Sequence, residues 1–237
     1  QKQIVHEIQK LSTQSLFSTH SPYVIEEFDL TNTIILSRNE NGLLKQSEVA
    51  LPEGLKIKTY RQDFRQRFCE GLLSRRILIV EGQTESTSIS ALSRRLALLD
   101  PSRYCALEAL GICIIDAGGD NKIAPLAKMF KDLGKRVFAL CDKQDSDSEL
   151  GIRANVEMLY MHDYKGFEKL VLNHTTREAL ERFSEIIEWP PHLNSRYPNP
   201  KSNLQDAMFE YFMWSKGNWG VSDFISQCSL LEIPIWL

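Results

Sequence analysis

Three short apolar runs, each closed by a carboxylate, constrain this chain more than any other feature. They are RRILIVEG (75–82), GICIIDAGG (111–119) and RVFALCD (136–142). Between them lie TESTSISALSRRLALL (84–99) and KIAPLAKMFKDLG (122–134), with helical spacing of apolar residues and Gly134 placed to end the second. Continuous apolar strands that alternate with helices of this length form a parallel sheet covered on both faces. VEMLYMHD (156–163) reads as a fourth strand. The expected fold is therefore α/β, a Rossmann-like parallel sheet flanked by helices. A helical subdomain is expected from about Gly166 onward, interrupted by an extended proline-rich loop, WPPHLNSRYPNP (189–200).

The N-terminal quarter reads differently. IVHEIQKL (4–11) is helix-like, QSLFSTH (14–20) reads as a short buried strand, and SPYVIEEF (21–28) as a helix with Ser21 as N-cap and Pro22 in its first turn. TNTIILSR and LLKQSEVAL flank Asn41-Gly42, a hairpin signal. Phe64, Phe68, Leu72 and Leu73 mark a connecting helix over 60–74. A chain that begins at Gln1 in mid-helix reads as part of something longer. Expected boundaries are 1–56, 57–175 for the sheet with its leading helix, and 176–237 for the helical remainder.

Composition narrows the class. A hydrophobic share of 43% with 25% charged residues is that of a globular protein, and no apolar run is long enough to cross a bilayer. The five cysteines are scattered without a CxxC pair, which argues for buried thiols and a cytoplasmic setting. A net charge of −3 supplies no global basic field, so any nucleic-acid contact must be local. Arg75, Arg76, Arg94, Arg95, Lys131, Lys135 and Arg136 could form such patches or be solvated helix faces.

Ligands of parallel α/β sheets bind outside the carboxyl ends of the strands. Glu81, Asp116 and Asp142 fall at those ends, and Glu85 on the first turn of the next helix. Singly, each reads as a polar residue leaving the core. Together on one sheet edge they would repel one another without cations, and oxygen-only donors suit Mg²⁺ or Mn²⁺. Gly82 and Gly118-Gly119 fit sharp turns beside such a site.

ILIVEGQTE, with a later strand ending in LCD, resembles the Toprim domain of topoisomerases, primases and related nucleases. SLFSTHSPYVIEEF resembles the end of an ABC-type ATPase around its switch histidine. The two in this order resemble the OLD (overcoming lysogenisation defect) family of ATP-dependent nucleases. The resemblance implies a DNA endonuclease using two divalent ions, with Glu81, Glu85 and Asp142 as ligands and catalytic acids. Asp116, Asp145 and Glu168 are further candidate ligands. Gln144 stands where the family's Asp-x-Asp has its second acid, so either Asp145 substitutes, or Gln144 supplies a neutral oxygen, or the second ion is held otherwise. A catalytic lysine is implied, with Lys216 preferred over Lys201. Lys122, Arg94 and Lys201 are candidate DNA contacts. His20 would be the ATPase histidine, but no GxxxxGK[ST] loop is present, so ATP would be bound only by a longer protein. Homodimers, a superfamily-1 helicase partner and phage defence are implied by the family alone. A topoisomerase or primase, or a non-catalytic DNA-binding module, are the rival readings.

Overall fold

The computed structural model describes residues 1–38, 41–52, 62–217 and 219–234, with nothing stated of the side chains of 62–64. Helices and strands run α1 (Lys2–Leu11), α2 (Pro22–Ile25), β1 (Ile34–Arg38), β2 (Leu44–Glu48), α3 (Gln62–Leu73), β3 (Arg76–Val80) and α4 (Gln83–Leu99). They continue as β4 (Ile112–Asp116), α5 (Ile123–Asp132), β5 (Arg136–Asp142), α6 (Ser146–Arg153), β6 (Met158–His162) and α7 (Phe167–His174). The chain ends in α8 (Arg177–Ile186), α9 (Pro191–Arg196), α10 (Leu204–Trp214) and α11 (Gly220–Gln227).

The four expected strands form one parallel sheet in the order β4-β3-β5-β6. β3 and β5 are central, and their runs ILIV and ALC are buried along nearly every residue, as a sheet covered on both faces requires. Two compact units divide the chain: 1–79 with 111–139 and 146–159, and 80–110 with 140–145 and 160–237.

In the first unit α3 lies along β4. Phe68 and Phe130 meet with ring centroids 5.5 Å apart. A Cβ on Gly71 would fall 3.1 Å from the Phe130 ring and 3.2 Å from Ile115, so this turn of α3 needs a residue without a side chain. β1 and β2 pair antiparallel with Leu36 opposite Gln46, and Gly42 turns between them at φ +77°. Ser21 is the N-cap of α2 as expected, although its hydroxyl donates to Gln1 Oε1, 2.8 Å away, and not to the helix. The expected strand over 14–20 does not form. Leu16 is fully exposed, and among the described residues no other strand pairs with this stretch; without a ladder the extended chain has no reason to stay a strand. α6 has no counterpart in the sequence reading, since its acids at Asp147 and Glu149 look like loop composition but suit a helix first turn. The expected boundary at 56 and helix start at Tyr60 lie outside the described residues.

In the second unit α11 packs along α4 and α10 against α7. Phe183, Phe212 and Phe224 form the centre, with Phe224 5.3 Å from Phe183 and 5.8 Å from Phe212. Arg182 grips Glu232 with two nitrogens at 2.8 Å, which holds that carboxyl down to about 2. The expected proline-rich loop is partly helical. Pro190 caps α9 and Pro191 enters its first turn, where a missing N–H costs no hydrogen bond. Among the described residues no helix is long and apolar enough to cross a membrane.

Candidate metal centre

Four carboxylates of the second unit gather at the ends of β3 and β5 and on the first turns of α4 and α7. Glu81 follows the last residue of β3 and is half-buried; its Oε2 accepts the backbone N–H of Asp142 at 3.4 Å. Gly82 is the N-cap of α4, two residues before the stretch that the sequence marks as helical. The helix therefore starts early enough to carry Glu85 inward. A Cβ on Gly82 would stand 3.2 Å from Glu85 Oε2, so the turn and the carboxylate share one space.

Glu85 is 7% exposed. Burial, followed by the charges of Glu168, Asp142 and Glu81, pushes its carboxyl up to about 7 despite a backbone hydrogen bond in the other direction. Asp142 closes β5. Its Oδ2 accepts the N–H of Gly166, and its Oδ1 lies 3.1 Å from Nε2 of His162. Burial pushes Asp142 up, but His162 and the Gly166 N–H outweigh it, and the net direction is down. Glu168, 1% exposed on the first turn of α7, accepts Thr84 Oγ1 at 3.2 Å, and Lys216 Nζ stands 3.5 Å from the same oxygen.

One lysine against four acids leaves the cluster short of positive charge, and the neighbouring acids add to burial in raising Glu85. Asp142 Oδ1 is buried and makes no well-aligned hydrogen bond even to the nearby imidazole. Hard oxygen donors with a buried oxygen to spare are what Mg²⁺ or Mn²⁺ takes as ligands. The residues therefore fit such an ion in chemistry. They do not form a closed cage, since among the described residues no three acidic, histidine or cysteine side chains converge on one point.

The other expected site residues are placed elsewhere. Gln144 donates its amide to the carbonyl oxygen of Asp142 at 3.0 Å, folding back on its own strand end, and Asp145 is exposed. Asp116 belongs to the first unit, where Oδ1 accepts the N–H of Gly118 at 2.7 Å and shapes its own glycine turn; Lys122 reaches the Gly118 carbonyl of that turn. Arg94 pairs with Glu108 at 2.5 Å, and Lys201 is drawn to Glu185 on the surface. Of the two candidate lysines, only Lys216 meets the acids. His20 is exposed on the irregular stretch before α2. Sequence reasoning missed His162, Thr84 and Gly166. His162 had one available signal, a histidine at the end of a strand beside the one ending in Asp142.

Comparison with known families matches residues 72–143 to the Toprim domain of proteins like the overcoming-lysogenization-defect protein. Comparison with curated protein sequences finds no match. Among solved structures, the C-terminal region of the Burkholderia pseudomallei OLD protein is similar at 14% identity, covering 69% of this chain and 92% of that one with a TM-score of 0.49. The C-terminal region of the OLD protein of Xanthomonas campestris pv. campestris is similar at 15% identity, covering 70% and 90% with a TM-score of 0.49. The assignment rests on the matched segment, which runs from the last turn of α3 to the residue after β5 and holds Glu81, Glu85 and Asp142. Residues 72–143 of this chain thus match the OLD-like Toprim domain.

Proposed function

We propose that this chain is the catalytic region of a divalent-metal-dependent DNA endonuclease. The observation that carries the reading is Glu85, a carboxyl buried among Glu168, Asp142 and Glu81 with too little positive charge around it. Glu81, Glu85 and Asp142 would hold Mg²⁺ or Mn²⁺. Bound there, such ions would supply a Lewis acid for the phosphodiester and lower the pKa of an attacking water. Glu168 fixes Lys216 and Thr84 beside the acids. Lys216, exposed on its outer side, would stabilise the negative charge that develops on phosphate oxygens as the P–O bond breaks. The Gly166 N–H holds one oxygen of the Asp142 carboxylate, and the His162 imidazole lies beside the other, so that less ordering remains when an ion binds. ATP dependence and dimerisation belong to the same proposal, as properties of a longer protein.

The test is nicking of supercoiled plasmid in Mg²⁺ or Mn²⁺. Glu81→Ala and Asp142→Ala should each abolish it while circular dichroism and urea unfolding show a folded protein. Full nicking by either variant refutes the assignment. Gln144 at the position of a family acid favours a second reading, a non-catalytic DNA-binding module. Binding without cleavage at any ion concentration would support that reading, and relaxed closed circles would point to a topoisomerase.

A further inference from the structure

Trp219 is the only non-glycine among the described residues with positive φ, at +78°. Left-handed backbone is unfavourable for a residue with a bulky ring, and it persists only where the surroundings impose it. The surroundings here are the turn from α10 to α11. A Cβ on Gly220 would fall 1.9 Å from Ser215 Oγ, so the start of α11 lies close against the end of α10. Asparagine or glycine would make that turn at lower cost. Packing does not explain the indole either, because Trp219 is 61% exposed.

The ring borders a groove of about 280 Å³ between α4 and α11. Its floor runs from Thr87 past Ser90 and Arg94 to Leu98, one face of α4. The eleven steps along the helix from Thr87 to Leu98 span roughly 16 Å, the length of a short run of nucleotides. Arg94, which pairs with Glu108, and Arg95, whose Nε donates to the Cys228 carbonyl at 2.7 Å, stand along it, and Asp223 is the one acid in its lining. At its other end Thr87 and Trp219 also border a small hollow lined by Thr84, Lys216 and Gly217. The groove thus opens beside the lysine that pairs with Glu168.

We infer that this groove binds single-stranded DNA, with a base stacked on Trp219 and the backbone led past Arg94 and Arg95 away from Lys216. An exposed ring beside a positive track is how proteins hold single strands without reading their sequence. The inference rests on the nuclease reading for its purpose, and not for its measurement.

The experiment is fluorescence anisotropy of a short fluorescein-labelled oligothymidine in EDTA, where no cleavage occurs. Trp219→Asn, whose side chain is at ease in left-handed backbone, should weaken binding about tenfold, the size of one lost stack. Trp219→Phe should stay within about threefold and melt with the parent, and Trp219→Asn should melt no lower. Unchanged affinity in Trp219→Asn overturns the inference, as does an equal loss for the same DNA as a duplex, which offers no free base. Cleavage is scored separately in Mn²⁺. A parent that does not cut, yet binds through Trp219, refutes the nuclease assignment and leaves the groove standing. A parent that cuts while Trp219→Asn binds normally does the reverse.

Discussion

Glu85→Gln tests the charge shortage of the acidic cluster directly. Burial and three neighbouring acids raise the Glu85 carboxyl from an ordinary 4.5 to about 7. At about 1.4 kcal/mol per pH unit, ionising it in the folded protein costs about 3 kcal/mol more than in the unfolded chain. The folded state holds its proton more tightly, so the stability this group confers is full below pH 4.5 and is lost as pH rises through 7. Glutamine has nearly the same shape and no charge at any pH. The variant should therefore match the parent within about 1 kcal/mol at pH 4.5 and exceed it by about 3 kcal/mol at pH 8. The assay is urea unfolding of both proteins in EDTA between these limits. Subtracting one from the other cancels the titration of groups remote from the cluster. A difference that stays flat with pH, or grows toward acid, refutes the reasoning. Added Mn²⁺ should reverse the order at pH 8, because an ion that binds only the folded parent adds RT ln(1 + [L]/Kd) to its stability.

Gly166→Ala should cost about 1–2 kcal/mol in urea unfolding and slow nicking, because Gly166 sits at φ +96° and a Cβ there would press within 3.2 Å of Glu168 Oε2. An unchanged midpoint would show that the turn relaxes freely. Of the five thiols only Cys105 is exposed, and burial pushes Cys113 and Cys228 up to about 12 and Cys69 to about 11. One thiol should react promptly with a chromogenic disulfide in the native protein and five in urea; two or more prompt native thiols would contradict the burial.

Most of the fold was legible because its signals are local. Every apolar run ending in an acid became a strand, and the helix patterns between them became α4 and α5, since a strand buried on both faces can hardly be written in other residues. The exceptions are segments whose state depends on a neighbour. QSLFSTH has the residues of a strand, but among the described residues it has no ladder to join. WPPHLNSRYPNP has the residues of a loop, yet proline in a first helical turn is no obstacle.

The site divides along the same line. Residue type and position at a strand end determined in the sequence that Glu81, Glu85 and Asp142 would be neighbours, because strand order and the helix first turn leave them little else to do. Tertiary packing decided which partners those acids meet. Lys216 reaches Glu168 and Lys201 does not; Gln144 bends to a carbonyl instead of taking an acid's place; His162 lies against Asp142. Long-range contacts between side chains far apart in the chain leave no local pattern. The charge shortage at Glu85 is likewise a property of burial, which no single stretch of sequence carries.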